Sequence, residues 1–126
     1  AALWKYEPEG GDMPFYASCA VAGGRVLAAG RDQKLHCLDA ATGKPHWKAD
    51  VRGQVDASPV ITHSTVFVAT KGGVLHAIRI EDGAEQWRYV NGTPYLAGPG
   101  ASQNRLVAAD ARGGVTCFIS QGDSPR

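Results

Sequence analysis

The side chains that could do chemistry in this 126-residue chain are three cysteines, four histidines and twelve acids. His36 and His76 are the most suggestive pair, because an imidazole can bind a metal ion or move a proton near neutral pH. They lie 40 residues apart (76 minus 36), and Leu35 and Leu75 beside them keep the same spacing. A histidine that recurs together with its apolar neighbour indicates a repeated structural position, so we expect both histidines to be structural.

The remaining reactive groups do not assemble into a site. His46 and His63 have no Cys or His at zinc-ligand spacing. Ser18 and Ser58 recur as well, but a nucleophile needs a base and an oxyanion hole that nothing in the sequence supplies. Calcium needs several converging oxygen ligands, whereas most acids lie at turn positions: Asp32, Asp39, Asp56, Glu81, Asp82 and Asp110. We therefore predict no catalytic residue, no metal site and no enzyme activity in this chain alone.

Cysteine usage leaves the cellular compartment open. With Cys19, Cys37 and Cys117, at least one thiol stays unpaired within a monomer. Cys37 and Cys117 fall on equivalent strands, and small buried apolar positions explain them.

Composition excludes several classes of protein. The chain is 44% hydrophobic with a net charge of +1, and its basic residues are scattered, so nucleic-acid binding is not expected. No apolar run approaches the roughly 20 residues that cross a bilayer. No signal peptide is visible and the chain does not begin with Met, which leads us to expect a trimmed or excised piece of a longer protein.

A repeat of 40 residues positions these side chains. Trp47 recurs as Trp87 and Gly43 as Gly83, each difference being 40 (87 minus 47, 83 minus 43), and Trp4 opens the chain on a similar tail. Further pairs at this spacing are Val26 and Val66, Pro59 and Pro99, Gly73 and Gly113, and Leu75 and Val115. The order is therefore a tail, two whole units and a shortened third unit, and such a period indicates a repeat architecture.

Each unit has the periodicity of short strands. In the second unit, four strand-like segments at 58–61, 66–69, 74–78 and 85–89 are separated by three tight turns. Four antiparallel strands in some 40 residues form one β-propeller blade. We predict an all-β fold, a partial propeller of about three four-stranded antiparallel blades in a single domain. Its parts are a closing strand and loop at 1–14, blades at 15–54 and 55–94, an incomplete blade at 95–120 and a tail at 121–126.

Residues 37–47 read Cys-Leu-Asp-Ala-Ala-Thr-Gly-Lys-Pro-His-Trp. They resemble the tryptophan-docking motif of PQQ-like (pyrroloquinoline-quinone-like) propellers, Ala-x-Asp-x-x-Thr-Gly-x-x-x-Trp, with Cys in place of Ala. The second copy has Arg79 for Asp and Asp82 for Thr, and the third has lost the motif after Phe118. In this family the Trp lies across the peptide between blades, and the Asp and Thr hold the turn. The resemblance implies docking roles for Trp4, Asp39, Thr42, Gly43, Trp47, Gly83 and Trp87.

The resemblance also raises the question of a cofactor. Family alcohol dehydrogenases place calcium, a carboxylate base, a vicinal disulfide and a stacking Trp at the centre of the ring. In this chain no two cysteines are adjacent and all three tryptophans sit at repeat ends, so we expect neither PQQ nor calcium. Family members are commonly exported, which implies a periplasmic or other extracytoplasmic location in a bacterium.

The expected binding site is a surface. In a propeller, the loops from the fourth strand of one blade to the first of the next share a face with the turns from the second strand to the third. This face should carry Asp12, Phe15, Tyr16, Arg31, Asp32, Arg52, Gln54, Asp56, Lys71, Asn91, Thr93, Tyr95 and Arg112. Aromatic and arginine side chains are enriched at interaction hot spots. We predict a non-catalytic module that binds or scaffolds a protein or peptide. The alternatives are a C-terminal fragment of a PQQ-dependent dehydrogenase and a propeller sensor domain.

The blade number predicts association. Propellers typically contain about four to eight blades, and unpacked ends make repeat stacks poorly soluble. If residues 3–6 pair with residues 115–119, the chain holds three complete blades. We expect a homo-oligomer, most simply a six-bladed dimer with the opening strand possibly exchanged, or a part of a larger propeller.

Overall fold

The structure, a computed structural model, describes residues 1–9, 13–102 and 104–119. These residues form eleven strands in three antiparallel sheets and no helix. Blade A consists of β1 (Ala20–Ala22), β2 (Arg25–Ala29), β3 (Lys34–Asp39) and β4 (Pro45–Asp50). Blade B consists of β5 (Val60–Thr62), β6 (Thr65–Ala69), β7 (Val74–Arg79) and β8 (Glu85–Val90). Blade C consists of β9 (Gly100–Ser102), β10 (Arg105–Ala109) and β11 (Val115–Ile119).

Blades A and B share the same pairing of strands as well as the same repeat in sequence. In both, consecutive strands pair antiparallel in chain order. The pairing of the third and fourth strands shifts between Cys37 and Leu38 in blade A and between Ala77 and Ile78 in blade B. Such a β-bulge bends the strand locally. The predicted all-β partial propeller is therefore confirmed.

The core lies between the blades. Leu27 and Leu35 of blade A pack in one cluster with Val66 and Ile78 of blade B. A second cluster joins Leu75 of blade B to blade C: Ala69, Leu75, Tyr95, Leu106 and Ala108. The middle strands of blade B are covered on one face by blade A and on the other by blade C, which explains why they read as continuous apolar runs.

Tryptophan side chains bridge successive blades. The indole Nε1 of Trp47 donates to the carbonyl of Ile80 at 2.8 Å, and its ring covers Gly83, where a Cβ would lie 2.7 Å from the ring. Trp4 makes the same contact one blade earlier, donating to the Ala40 carbonyl at 2.9 Å over Gly43. Both glycines have a positive φ, 77° and 78°, so a side chain there would be strained as well as obstructed.

The acids of the docking motif hold the turns. Asp39 Oδ1 accepts hydrogen bonds from the backbone N–H groups of Ala41 at 2.8 Å and Thr42 at 3.0 Å. These bonds keep the pKa of Asp39 below its usual value. In blade B, Asp82 receives the guanidinium of Arg79 and the N–H of Ala84 instead. In both blades a carboxylate therefore holds the turn between the third and fourth strands, although blade B departs from the motif.

The opening segment lies on blade A. Trp4 and Tyr6 contact this blade, and residues 1–9 form no strand. The pairing expected between residues 3–6 and β11 is therefore absent from the described part of the chain. The reason is that the Trp4 indole already has its docking glycine in blade A.

Candidate interaction face

Two sets of loops form one continuous face. The loops before β1, β5 and β9 cross the turns between the second and third strands of the blades, and backbone hydrogen bonds join them. Arg31 N–H donates to Pro14 at 3.1 Å, Lys71 N–H to Gln54 at 2.9 Å and Ala111 N–H to Pro94 at 2.9 Å. We call residues 13–19, 30–33, 51–59, 70–73, 91–99 and 110–114 the loop face. The same type of backbone hydrogen bond recurs in each of the three blades, so the loop face has a repeated structure.

An ion pair stabilises the middle of the loop face. Arg31 donates to both carboxylate oxygens of Asp56, at 2.8 and 2.7 Å, so the contact is bidentate. The hydrogen bond from Arg31 lowers the pKa of Asp56, and the nearby charge of Lys71 acts in the same direction. The guanidinium carbon of Arg31 also lies 4.6 Å from the ring centroid of Tyr16, within cation–π range. These four predicted contact residues thus form one cluster.

Asp32 lies on the same face but binds inward. Its Oδ2 is 2.6 Å from Nε2 of His36, a side chain that is only 1% exposed. Tyr6 places its hydroxyl 3.2 Å from Nδ1 of the same imidazole, and Phe15 packs edge-on against the ring. His36 therefore connects the opening segment, the loop before β1 and the β2–β3 turn.

Apolar side chains project from this framework. Tyr16 is 63% exposed and Leu96 is 57% exposed, and they occupy equivalent repeat positions 80 residues apart (96 minus 16). Met13 and Phe15 are exposed beside Tyr16. Leu96 and Met13 were not among the sequence-based candidates. The equivalence of position 96 with Tyr16 was the signal that could have identified Leu96.

Other predicted face residues differ in their accessibility. Arg52 and Arg112 are exposed, whereas Tyr95, which was expected to be displayed, is 1% exposed and belongs to the cluster between blades B and C. Tyr95 lies in the loop between β8 and β9. Its ring points inward because blade C provides apolar surface at that point. Asn91 is held by Asp110 at 2.9 Å. Asp12 lies outside the described residues.

The described residues contain no group of three or more His, Cys, Asp or Glu side chains arranged to hold a metal ion. Cys37 is buried, Cys19 and Cys117 are exposed, and all three are free thiols. In the part of the chain that the structure describes, no helix is long and apolar enough to cross a membrane.

A groove lies between blades B and C. Trp87 is 40% exposed and packs against Phe67 and Phe118, unlike the docked Trp4 and Trp47. The position equivalent to its docking glycine is 123 (83 plus 40), outside the described residues. The groove has a volume of about 880 Å³ and is lined by both blades, with Phe67 and Trp87 from blade B and Leu106 and Phe118 from blade C. Among the described residues, β11 pairs only with β10 and so forms an edge of blade C, and Val115 and Ile119 on this strand are exposed.

Comparison with known proteins relates the chain to propellers of two kinds. Residues 1–123 match the family model described as outer membrane protein assembly factor BamB. The chain is 30% identical over 81 residues to outer membrane protein assembly factor BamB of Yersinia pestis, covering 64% of this chain and 21% of that protein. It is 28% identical over 142 residues to quinohemoprotein alcohol dehydrogenase ADH-IIG of Pseudomonas putida, covering 95% of this chain and 19% of that protein. The chain thus spans about a fifth of the length of these relatives.

Solved structures agree on the fold. BamB from Moraxella catarrhalis superposes with a TM-score of 0.74 at 24% identity, covering 82% of this chain and 33% of that one. Quinohemoprotein alcohol dehydrogenase ADHIIG from Pseudomonas putida HK5 superposes with a TM-score of 0.78 at 20% identity, covering 86% and 19%. At these identities the likeness establishes the architecture alone.

Proposed function

The chain belongs to the PQQ-like β-propeller repeat family described as outer membrane protein assembly factor BamB, and we propose that it is a non-catalytic module that binds a protein partner through its loop face. The observation that carries the proposal is the exposure of Tyr16 and Leu96 at equivalent positions of that face. Exposed apolar side chains grouped on one face of a domain mark interaction surfaces.

The geometry around Tyr16 favours binding. The bidentate Arg31–Asp56 pair lies under the Tyr16 ring and restricts it before any partner arrives. A contact residue ordered in advance loses less conformational entropy on association. Tyrosine and arginine are also the side chains that contribute most at protein interfaces. The proposed interface is therefore centred on Tyr16, with Leu96 as a second anchor.

Site-specific photo-crosslinking tests this interface. A photoreactive residue at position 16 or 96 should capture the same protein in the cells that produce the chain, whereas one at His63, exposed in the β5–β6 turn, should not. Tyr16→Ala and Leu96→Ala should then each weaken binding of that purified protein about 10-fold, the effect of losing a hot-spot side chain. His63→Ala should leave binding unchanged. Equal capture from all three positions would rule out the loop-face interface.

A second candidate is a fragment of a quinoprotein dehydrogenase. The match to the Pseudomonas putida dehydrogenase over 95% of this chain favours it. A dehydrogenase fragment would contribute part of a quinone site, so adding PQQ with Ca²⁺ would change the quinone absorption spectrum. We expect no saturable change up to millimolar concentrations. A saturable change would replace the binding-module proposal with the dehydrogenase one.

The relatives' name also bears on location and assembly. We propose that the chain works outside the cytoplasm, in the periplasm of a bacterium, and the support is that the matching family is named for assembly at the outer membrane. The exposed Val115 and Ile119 on β11 of blade C favour packing against another unit, either a further blade or a second copy. Light scattering should give a mass above that of the 13.3 kDa monomer. The Ile119→Lys variant should lower that mass, because a charge on an edge strand discourages pairing.

A further inference from the structure

The opening segment lies on blade A as the fourth strand of a neighbouring blade would lie. The indole of Trp4 covers Gly43 of blade A, and the indole of Trp47 on β4 covers Gly83 of blade B in the same way. A Cβ built on either glycine would lie only 2.5 or 2.7 Å from the indole. Residues 3–6 therefore have the same position relative to blade A that β4 has relative to blade B.

The opening segment has the side-chain alternation of a strand without its backbone pairing. Trp4 and Tyr6 are partly buried, whereas Leu3 and Lys5 are exposed. This alternation is that of an extended strand with one covered face. Among the described residues, residues 1–9 take part in no backbone–backbone hydrogen bond. Their backbone N–H and C=O groups can therefore pair with a strand from outside.

Blade C has the complementary arrangement. Its three strands correspond to the first three strands of blades A and B, and no fourth strand pairs with β11 among the described residues. Val115 is 69% exposed and Cys117 is exposed. The equivalent Leu35 and Cys37 of blade A are fully buried in the cluster shared with blade B. Blade C thus exposes an apolar face and a strand edge that are both covered in blade A.

An arginine of blade A marks the same face. The guanidinium of Arg25 donates to the carbonyls of Ile80 and Glu81, in a turn of blade B, at 2.7 and 3.0 Å. The residue 40 positions later is Thr65, so blade B cannot make this contact with blade C. The residue 80 positions later is Arg105 of blade C, which is exposed. Blade C therefore carries the arginine that joins blade A to the blade that follows it.

We propose that the opening segment of a second copy is the fourth strand of blade C, and that two copies make this contact reciprocally in a ring of six blades. Blade C of one copy then packs on blade A of the other. The guanidinium of Arg105 donates to the carbonyls of Ala40 and Ala41, the positions equivalent to Ile80 and Glu81. Six blades lie within the roughly four to eight of known propellers, and reciprocal use of two surfaces is what a two-fold dimer requires. The ring requires the proposed packing of β11 against another unit, and it identifies that unit as a second copy.

The complete blades fix the register of this pairing. In blade A, His36 of β3 lies opposite Lys48, the residue that follows the docked tryptophan of β4. Blade B has the same register. The equivalent of His36 in blade C is Thr116 (116 minus 36 is 80), and the residue that follows the docked tryptophan of the opening segment is Lys5. Thr116 of one copy should therefore lie opposite Lys5 of the other, with their Cβ atoms about 5 Å apart.

Disulfide cross-linking between two variants of the whole chain tests this register. One variant carries Lys5→Cys and the other Thr116→Cys, both with Cys19→Ser and Cys117→Ala to remove the exposed thiols. Because each chain has one half of the pair, a disulfide between positions 5 and 116 can form only between copies. We expect mild oxidation of the coexpressed variants to give a covalent dimer on a non-reducing gel. Each variant oxidised alone should give much less.

Two further variants separate this pairing from unspecific contact. Val115→Cys is the matched control for Thr116→Cys, because adjacent residues of a strand point to opposite faces. With Lys5→Cys it should give little covalent dimer. Arg105→Gln should weaken the association about 10-fold, the effect of losing a hot-spot arginine. Lys48→Gln, which removes an exposed cation of β4, should leave the association unchanged. Light scattering over a range of concentrations measures both.

The outcomes distinguish this pairing from the association already proposed. Equal cross-linking from positions 115 and 116 would overturn the pairing. Disulfide-linked chains longer than a dimer, with both cysteines in one chain, would overturn the two-copy ring. An assembly heavier than a monomer that gives no cross-link between positions 5 and 116 would overturn the pairing and leave the packing of β11 against another unit intact. A monomeric mass would overturn both, and the loop-face interface is tested separately at positions 16 and 96.

Discussion

Replacing Trp47 with alanine is expected to lower the free energy of unfolding by about 3 kcal/mol, because large-to-small changes of packed aromatic side chains cost this much. The indole is the bridge between blades A and B. It covers Gly83 and donates to the Ile80 carbonyl at 2.8 Å. The substitution removes the apolar contact and the hydrogen bond together. Urea denaturation followed by far-UV circular dichroism measures the loss.

Trp87→Ala is the matched control for this prediction. Trp87 has the same place in the repeat (87 minus 47 is 40), but it is 40% exposed and packs against the rings of Phe67 and Phe118, at centroid distances of 5.9 and 5.7 Å. We expect a cost of about 1 kcal/mol, which is typical of a partly exposed aromatic pair. If the two variants were equally destabilised, inter-blade docking would not be the source of the stability that we assign to Trp47.

Replacing Gly73 with alanine is expected to cost about 3 kcal/mol or more, through backbone strain and a collision with a neighbouring loop. Gly73 adopts φ 87°, and a Cβ built there would lie 2.7 Å from the backbone nitrogen of Thr93 and 2.8 Å from its carbonyl oxygen. The obstructing atoms are backbone, so they cannot rotate away. The loop 91–95 must therefore move.

Gly113→Ala separates the two causes. Gly113 occupies the equivalent turn of blade C with the same φ of 87°, and a Cβ there would meet nothing within 4 Å. We expect it to cost about 1 kcal/mol, the penalty for a left-handed residue other than glycine. The equivalent position in blade A is Gln33, which already has φ 67°, so this turn accepts a side chain where space permits. Thermal denaturation of the two variants gives the comparison, and similar melting temperatures would contradict the collision.

The Gly73 variant also connects stability to the proposed interface. The N–H groups of Asn91 and Gly92 both donate to the Gly73 carbonyl, at 2.7 and 3.3 Å, and this loop continues into Leu96 at the loop face. Displacing it should therefore weaken binding through Leu96 more than binding through Tyr16. Photo-crosslinking from positions 16 and 96 in the Gly73→Ala background would reveal such a difference.

The architecture could be predicted from the sequence because the period of a repeat can be measured directly from recurring residues. The 40-residue spacing of Trp47 and Trp87 and the pattern of Gly43 and Gly83 are local signals, and each blade forms its hairpins from neighbouring residues. The docking of Trp47 over Gly83 also follows from the motif. What the sequence determined by itself was therefore the blade, its strand order and the shared face of its loops.

Only the tertiary structure decided how equivalent positions differ. Tyr95 is buried, whereas Phe15, at the equivalent position 80 residues earlier (95 minus 15), is exposed. Among the described residues, Nε2 of His76 has no hydrogen-bond partner, whereas both nitrogens of His36 have one. The opening segment lies on blade A and not on β11 because its indole reaches Gly43. These differences depend on side chains from adjacent blades, such as Ala49 beside His76. A spacing in the sequence does not reveal such neighbours, because the contact forms only when the blades pack together.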